Sequence, residues 1–507
     1  MTPIKKNIVA NYAGSIWIAA MSVIFIPVYI KFMGIEAYGL VGVFGSLLAL
    51  FAVIDFGLKA TMVREMARLA AKDPTGKEAR SLARTLEIIY WGTALLLGII
   101  VVSMAGPVTD YWINPDTLNP ATVRQALMII GAVIALHWPV SFYSGGLRGL
   151  DRQPLLNVIH SAAATFRGLG AVAVLWLISP TIQAFFTWQI VVSALETSSL
   201  AAALWVSLPG RGGAATFSAE SLRKVWRFSA GMTGISILAV VLMQADKVIL
   251  TKMLSLKLFG YYTLGWTASW TLLRLVGPID SAVYPTITRL AAQDNENELA
   301  AVYHKSCQSQ AVVIVPATLT LVLFGDIVLT VWSGNTDLVA NAGPVVRVLS
   351  IAVGLNAFIR IPHLAMLAHG WTSLIFYQNL FSVIALVPLM VVLATWYQAV
   401  GAAWVWVIFT SSYVLITIQI MHRHILRKEK WKWYVRDIGT PTVATLAVFA
   451  SARVIMPGGM LIPLQAVYVL AVAGAGLLAA VLATDFPRSK FLELIGIVFR
   501  KRALRMN

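Results

Sequence analysis

One face of a predicted helix combines threonine hydroxyls with an arginine. The spacings are 4, 4 and 3 residues, in the order Thr263, Thr267, Thr271 and Arg274. Residues at these spacings share one side of an α-helix. An arginine guanidinium binds phosphate oxygens through two parallel hydrogen bonds. The stripe therefore predicts a surface for a phosphorylated ligand, and the structural alternative is hydrogen-bonded packing between helices.

Two other predicted helices carry polar faces, and both add substrate-binding candidates. The face of the helix at 228–250 is interrupted by Val240, and its candidates are Gln244 and Lys247. The helix at 8–30 contributes Asn11 and Ser15. Lys247 also has a structural alternative, an interfacial pair with Asp246 or a side chain that extends to the membrane surface.

Arginine and acidic residues in other apolar segments complete the candidate set. Arg360 is a substrate-binding candidate, or it binds backbone carbonyls freed by Pro362. The acids predicted to couple an ion, either a proton or sodium, are Asp55, Asp246 and Glu196. The alternatives are a pair with Lys59 for Asp55 and a basic partner in the same lobe for Glu196. Five further residues rank below these candidates: His137, His160, Arg167, His363 and Cys307.

The elements that position these residues are membrane helices. Hydrophobic residues make up 59% of the 507-residue chain and charged residues only 12%, whereas soluble domains have about 25% charged residues. Apolar stretches of about 20 residues, long enough to cross a bilayer, recur throughout. Fourteen transmembrane helices are predicted, near 8–30, 38–58, 86–106, 124–147, 155–178, 182–207, 228–250, 258–280, 309–332, 344–366, 374–394, 400–420, 438–456 and 465–483.

The net charge of +17 follows the predicted topology. With the N-terminus inside, nearly all loop lysines and arginines lie on inner segments, and the outer loops carry only Lys31, Lys252 and Lys257. This asymmetry predicts a multi-pass protein of the cytoplasmic (inner) membrane with both termini in the cytoplasm. Nucleic acid is not an expected partner, and the lipid bilayer is.

Enzyme signatures are absent from the sequence. It contains no GxxxxGK[ST] phosphate loop, no HExxH and no paired cysteines, since Cys307 is its single cysteine. We therefore expect no catalytic residues, no metal site, no cofactor and no direct ATP hydrolysis.

A repeat organises the chain. The segment RLAAKD at 68–73 returns as RLAAQD at 289–294, an offset of 221 residues. The same offset relates KFMGIEAYG at 31–39 to KMLSLKLFG at 252–260. A duplicated unit of six helices is predicted, and because six is even the two copies are parallel repeats about an axis along the membrane normal.

The repeat gives the domain boundaries. An N-terminal lobe is predicted at 1–207, a cytoplasmic linker at 208–227 and a C-terminal lobe at 228–420. An extra helix pair follows at 438–483 and a basic tail at 484–507.

Four segments resemble a known family. They are NYAGSIWIAAMSVIFIPVYIKFMGIEAYGLVGVF (11–44), QADKVILTKMLSLKLFGYYTLG (244–265), VYPTITRLA (283–291) and VGAAWVW (400–406). They are similar to the polysaccharide-repeat (Wzx-like, O-antigen) flippases of the multidrug/oligosaccharidyl-lipid/polysaccharide exporter superfamily. The resemblance implies an all-α fold with two six-helix lobes around a central cleft. It also implies alternating access and transfer of a polyprenyl-pyrophosphate-linked oligosaccharide to the outer leaflet, with a polymerase and other polysaccharide-assembly proteins as partners.

Three alternatives remain. A drug/cation antiporter of the same fold would need a net anionic cleft, and the intramembrane arginines and lysines here at least match the acids. A peptidoglycan-precursor flippase has the same fold. A membrane glycosyltransferase or polymerase would need acidic catalytic groups on a sizeable outer loop, and the longest predicted outer loop, 107–122, is too short for a domain.

Overall fold

The computed structural model describes residues 3–55, 57–72, 75–210, 217 and 240–493, except the side chains of 3–13, 53, 71 and 72. Its contacts form two compact units, Met1–Gly260 and Tyr261–Asn507. The described residues are almost entirely helical, and an isolated bridge between Asn114 and Ser255 is their extended pairing. The predicted all-α class is therefore confirmed. The predicted domain boundaries stay predictions.

The first unit holds helices α1 to α10. Their bounds are α1 Pro3–Ile24, α2 Ile26–Met33, α3 Ile35–Phe51, α4 Leu58–Lys72, α5 Lys77–Tyr111, α6 Pro120–His137, α7 Val140–Gly149, α8 Gln153–Leu177, α9 Ile182–Ser207 and α10 240–253. Helix α5 packs on α6, α9 packs on α6 and α8, and α4 packs on α7.

Helix α11, Leu256–Trp270, begins in the first unit and continues into the second. The second unit also contains α12 Leu273–Ala292, α13 Glu296–Ser333, α14 Thr336–Ala368, α15 Thr372–Ser412, α16 Ile418–His424, α17 Lys430–Lys432, α18 Thr440–Ile455 and α19 Ile462–Leu482. Two π-helical segments, Tyr413–Thr417 and Trp433–Gly439, join α15 to α16 and α17 to α18. Helices α14, α18 and α19 pack on α13.

Side-chain caps fix several helix starts. Asn119, Thr181 and Asn335 each accept a hydrogen bond from a backbone N–H in the first turn of the following helix. These caps satisfy amides that have no partner within the helix. Asparagine and threonine before apolar runs are therefore the sequence signal for these boundaries.

Ten helices of the described chain are long and apolar enough to cross a membrane, four fewer than predicted. The predicted helices 374–394 and 400–420 form one span, Thr372–His424, which Gln398 interrupts with a φ of 51°. Helix α3 has only 17 residues, the helix at 228–250 lies partly outside the described residues, and the predicted helix 258–280 breaks between α11 and α12. The count of fourteen stays a prediction.

The helix order recurs at the repeat offset. Helix α3 begins at Ile35 and α11 begins 221 residues later, at Leu256. Helix α4 ends at Lys72 and α12 ends 220 residues later, at Ala292. The repeated RLAA words thus mark the ends of equivalent helices. A superposition of the two six-helix units about a membrane-normal axis stays a prediction.

Candidate functional site

The predicted threonine and arginine stripe spans a break between two helices. Helix α11 ends at Trp270 and α12 begins at Leu273. At the break the Arg274 N–H donates to the Thr271 carbonyl at 3.0 Å, an i to i+3 bond that tightens the chain into a 3₁₀ turn. The continuous helix predicted at 258–280 is therefore wrong at this point. The tight turn keeps the chain helical, so Arg274 still follows Thr271 after one turn.

The threonine hydroxyls are bonded to their own helix. Thr267 donates to the Thr263 carbonyl at 2.9 Å, and Thr271 donates to the Thr267 carbonyl at 2.7 Å. Both residues are half-buried. A hydroxyl oxygen that donates in this way keeps its lone pairs as acceptors. The threonines are thus placed to accept hydrogen bonds from a ligand.

Arg274 is exposed, and within the described residues no acidic side chain forms an ion pair with it. The two acids that sequence analysis offered as structural partners bind elsewhere. Asp280 is bonded to Arg360 and Gln310, and Asp55 is bonded to Tyr90. The guanidinium of Arg274 therefore keeps its five donors for solvent or a ligand.

Arg360 is held by an acid. Its Nε donates to Asp280 Oδ2, while Gln310 Nε2 donates to Asp280 Oδ1 at 2.6 Å. These residues join α14, α12 and α13, and Asp280 is buried. The alternative that sequence analysis offered, carbonyls freed by Pro362, is not the arrangement seen. Arg360 compensates the Asp280 carboxylate inside the second unit, which makes it a weaker substrate ligand than Arg274.

The candidates on α10 form a buried pair. Lys247 Nζ lies 3.3 Å from Asp246 Oδ1 and donates to the Met243 carbonyl at 3.3 Å. The Asp246 side chain is fully buried. Gln244 is half-buried, and its Oε1 has no hydrogen-bond partner within the described residues. The structure therefore has the pair of the structural alternative, buried instead of interfacial.

The two candidates of the first helix lie on α1. Ser15 is exposed. The backbone of Asn11 is helical, and its side chain lies outside the described residues. Both residues stay predictions.

Asp55 begins the helix that follows it. It lies in a 3₁₀ turn after α3 and accepts a hydrogen bond from the Lys59 backbone N–H at 3.2 Å, in the first turn of α4. Its other oxygen accepts from the Tyr90 hydroxyl. Burial and the nearby Arg148 lower the pKa of the Lys59 ammonium, and Asp55 opposes that change. Asp55 is thus anchored structurally, by the backbone of Lys59 and by Tyr90.

Glu196 is the centre of a buried polar cluster in the first unit. Its carboxylate lies 2.8 Å from His160 Nδ1, 2.9 Å from an Arg167 guanidinium nitrogen and 3.7 Å from His137 Nδ1. The expected basic partner in the same lobe is therefore Arg167. The structure joins into one cluster the histidines and the arginine that sequence analysis ranked below the main candidates.

A second histidine cluster was missed by sequence analysis. His304 on α13 lies between Asp437 at its Nδ1 and Glu429 at its Nε2, the latter at 2.8 Å. More than 120 residues separate His304 from both acids, so no local spacing marks the cluster. Among the described residues no group of three or more histidine, cysteine and acidic side chains is placed to hold a metal ion.

Aromatic side chains beside the stripe were also missed. Trp266 and Trp270 stack with their ring centroids 4.0 Å apart, and Trp406 packs edge-on against both rings. Trp266 and Trp270 are half-buried, and Trp406 is buried. The spacing of four residues between Trp266, Trp270 and Arg274 is the signal that could have identified them.

A cavity of about 480 Å³ lies at the ends of α13 and α18. Asp326 lines it and accepts a hydrogen bond from Arg453 at 2.8 Å. The pair joins the two helices, which fits the structural role predicted for both residues.

The fold has solved counterparts. The lipid II flippase MurJ in an inward closed conformation has a TM-score of 0.62 at 10% identity, covering 92% of this chain and 97% of that chain. The Vibrio cholerae MATE transporter VcmN has a TM-score of 0.58 at 13% identity, covering 83% and 96%. At such low identity these likenesses show the fold alone, that of the flippases and transporters of one superfamily.

Sequence comparison gives the family. A Shigella flexneri protein named "Putative O-antigen transporter" is 21% identical over 378 residues, which are 74% of this chain and 87% of the relative. The family model described as "Polysaccharide biosynthesis protein" matches residues 4–291, more than half of the chain. This multi-pass membrane protein with a transporter fold therefore belongs to the polysaccharide biosynthesis protein family.

Proposed function

We propose that this protein moves a polyprenyl-pyrophosphate-linked oligosaccharide from the inner to the outer leaflet of the cytoplasmic membrane. The family, the name of the Shigella relative and the fold shared with a lipid II flippase support this proposal. Two lobes alternate in access, the headgroup enters a polar cleft and the polyprenyl tail stays in lipid. Both termini are cytoplasmic, as the loop charges indicate.

Arg274 is the observation that carries the proposal. An arginine on a membrane helix is costly unless it faces protein or water. Within the described residues Arg274 has no acidic partner, and it follows two half-buried threonines. A pyrophosphate that binds the guanidinium bidentately offsets the cost of keeping this charge in the membrane. Arg274, Thr271 and Thr267 are accordingly the proposed headgroup ligands.

The tryptophans supply a surface for the sugar. Trp270 lies one helical turn before Arg274, and its ring stacks on Trp266. The C–H face of a pyranose ring is apolar and packs on an indole, while ring hydroxyls remain free to hydrogen-bond. A phosphate site beside an aromatic surface matches a ligand in which sugar follows pyrophosphate. Gln244, Lys247, Asn11 and Ser15 remain weaker candidates.

Ion coupling supplies direction in the absence of a nucleotide-binding motif. Of the three proposed acids, Asp55 is bonded to Tyr90 and to the start of α4, and Asp246 is paired with Lys247. Glu196 instead contacts two histidines whose side chains are 28% and 22% exposed. Glu196 is therefore the strongest of the three coupling candidates.

A drug/cation antiporter is the second candidate function, because a MATE transporter shares the fold. Its substrates are cations, and the exposed charge beside the threonines here is a guanidinium. A peptidoglycan-precursor flippase would use the same pyrophosphate site with a different sugar.

The test is transport by the purified protein in liposomes. The vesicles carry either a polyprenyl-pyrophosphate-linked oligosaccharide, lipid II, or an aqueous cationic dye. Movement of the first lipid, measured as exposure of its glycan to an added glycosidase, supports the proposal. Transport of lipid II alone, or of the dye alone, would replace it with one of the alternatives.

A further inference from the structure

The polar cluster around Glu196 is assembled from several helices of the first unit. Glu196 comes from α9, His160 and Arg167 from α8, and His137 from α6. Ser144 on α7 contacts the far side of the His160 ring. Only 6% of the Glu196 side chain is exposed. A buried carboxylate thus orients a ring that is itself partly accessible.

The two nitrogens of His160 have partners of different kinds. Nδ1 lies 2.8 Å from Glu196 Oε1, and Nε2 lies 3.1 Å from the Ser144 hydroxyl. An ionised carboxylate only accepts hydrogen bonds, so Nδ1 carries the hydrogen in this contact. A serine hydroxyl both donates and accepts. Ser144 can donate to a bare Nε2, and after rotation it can accept from a protonated Nε2.

His160 is consequently satisfied in both charge states. The neutral ring donates from Nδ1 and accepts at Nε2, whereas the imidazolium donates from both nitrogens. Neither state leaves a buried nitrogen without a partner, so neither incurs the cost of an unsatisfied polar group. This is the arrangement that a reversible proton site requires.

His304 shows the opposite arrangement. Both of its nitrogens face carboxylate oxygens, from Asp437 and Glu429. Two acceptor-only partners need two N–H donors, which only the imidazolium supplies. The ring of His304 is held in one charge state, and the serine contact is what distinguishes His160.

The charges around His160 allow one extra proton. Arg167 and Glu196 cancel each other, so the cluster is neutral when both histidines are neutral. Arg167 is further bonded to Gln189 at 3.0 Å. On α2, Tyr29 donates to the Gly168 carbonyl beside Arg167 at 3.3 Å and contributes no charge. His137, 3.7 Å from Glu196, is the other titratable ring that faces the cluster.

We infer that His160 is a reversible proton-binding site, which takes up a proton at Nε2 while Ser144 changes from donor to acceptor. Its role in coupling a proton gradient to transport rests on the proposed function. Proton binding itself does not, because it is a property of the cluster in the absence of substrate.

The test is ¹⁵N NMR of the full-length protein in detergent micelles, with ring-labelled histidine. The His160 signal is assigned by its loss in His160→Gln and by its displacement in Ser144→Ala. We expect it to change from the neutral tautomer with hydrogen on Nδ1 to the imidazolium as the pH falls from about 8 to about 5. The His304 signal is expected to remain that of an imidazolium across the same range.

Glu196→Gln provides the second arm. Loss of the adjacent negative charge disfavours the imidazolium, so the His160 midpoint should fall by about one pH unit, a tenfold weaker proton affinity. Glu65→Gln, which removes an acid paired with Arg64 and Arg68 on α4, is the matched control and should leave the midpoint unchanged.

A His160 signal that stays in one charge state between about pH 5 and 8 would overturn the inference. The wild-type titration gives this answer even where Glu196→Gln fails to fold. Loss of oligosaccharide transport in the liposome test, with normal titration of His160, would contradict the proposed function alone.

Discussion

Gly39 and Gly260 make reciprocal contacts. A Cβ on Gly39 would lie 2.6 Å from the Leu256 carbonyl oxygen, and a Cβ on Gly260 would lie 2.3 Å from the Ile35 carbonyl oxygen. Both partners in each contact are related by the repeat, since Leu256 is Ile35 plus 221 and Gly260 is Gly39 plus 221. A contact in which i meets j and j meets i is the signature of two-fold symmetry. It supports a duplicated unit.

Alanine at these glycines should destabilise the protein. Gly39→Ala and Gly260→Ala each push a methyl group into a backbone carbonyl, and overpacking of this kind costs roughly 1–3 kcal/mol. Gly45→Ala on the same helix is the matched control, because a Cβ there has nothing within 4 Å. Thermal unfolding in detergent should show a lower midpoint for the first two variants and no loss for Gly45→Ala. Equal midpoints for Gly39→Ala and Gly45→Ala would refute the close contact.

The fold was largely predictable because its signals are local. Apolar stretches, capping asparagines and the repeated RLAA words each act within a few residues, so α5, α9 and the paired ends of α4 and α12 follow from the sequence. The breaks were not predictable. The turn at Thr271 and the positive φ of Gln398 contain no proline or glycine, and tertiary packing sets such positions.

The membrane topology predicts which cysteines react from outside. In a Cys307→Ser background, an impermeant thiol reagent should label Thr336→Cys and Gly458→Cys, which lie at exposed helix ends assigned to the outer side. It should not label Thr75→Cys or Lys428→Cys in intact cells, because these exposed positions are assigned to the cytoplasm. Permeabilised cells provide the control for reactivity. Labelling of Thr75→Cys in intact cells would overturn the assigned orientation.

Arg360→Ala should reduce stability. It leaves the buried Asp280 carboxylate with Gln310 as its remaining partner, at a cost of roughly 1–3 kcal/mol because Arg360 is itself partly exposed. The double variant Arg360→Gln with Asp280→Asn removes both charges and should recover most of the loss. Thermal unfolding and membrane abundance measure both effects. A double variant no more stable than the single one would show that the pair does not act as a charge pair.

Stability in acid should depend on Glu429. Burial opposes its ionisation, but the hydrogen bond with His304 and the charges of Lys432 and His304 hold the pKa of Glu429 below its ordinary value of 4.5. A depressed pKa contributes stability above the unfolded value and loses it as the pH falls through the folded value. The wild-type unfolding midpoint should therefore decline from about pH 5 downwards, and that of Glu429→Gln should decline less.

Glu493→Gln is the control for this effect. Glu493 is more than half exposed and pairs with Lys490 three residues earlier. Its substitution should leave the acid dependence as in the wild type. Identical acid profiles for the wild type and Glu429→Gln would show that Glu429 adds no stability through His304.

The candidate site was predictable in part. The stripe at Thr267, Thr271 and Arg274 follows from helical spacing, and so does the place of Glu196 among apolar residues. The partners of each charge were not predictable, because Arg360 finds Asp280 from 80 residues away and Glu196 finds His160 from 36 residues away. Side-chain pairing between helices is set by packing, which spacing along one helix does not encode.

Arg274 tests the central claim most directly. Arg274→Ala removes the guanidinium without breaking an ion pair among the described residues, so the protein should remain folded and normally abundant in the membrane. Arg274→Lys keeps a charge but lacks the planar fork, and it should restore export only partly. Arg360→Ala is the matched control, expected to lose abundance and export together.

The measurement is surface polysaccharide and membrane abundance in the same cells, for a strain that depends on this protein. The account predicts that Arg274→Ala has normal abundance and no exported polysaccharide. Normal abundance with full export would contradict the claim that Arg274 binds the pyrophosphate.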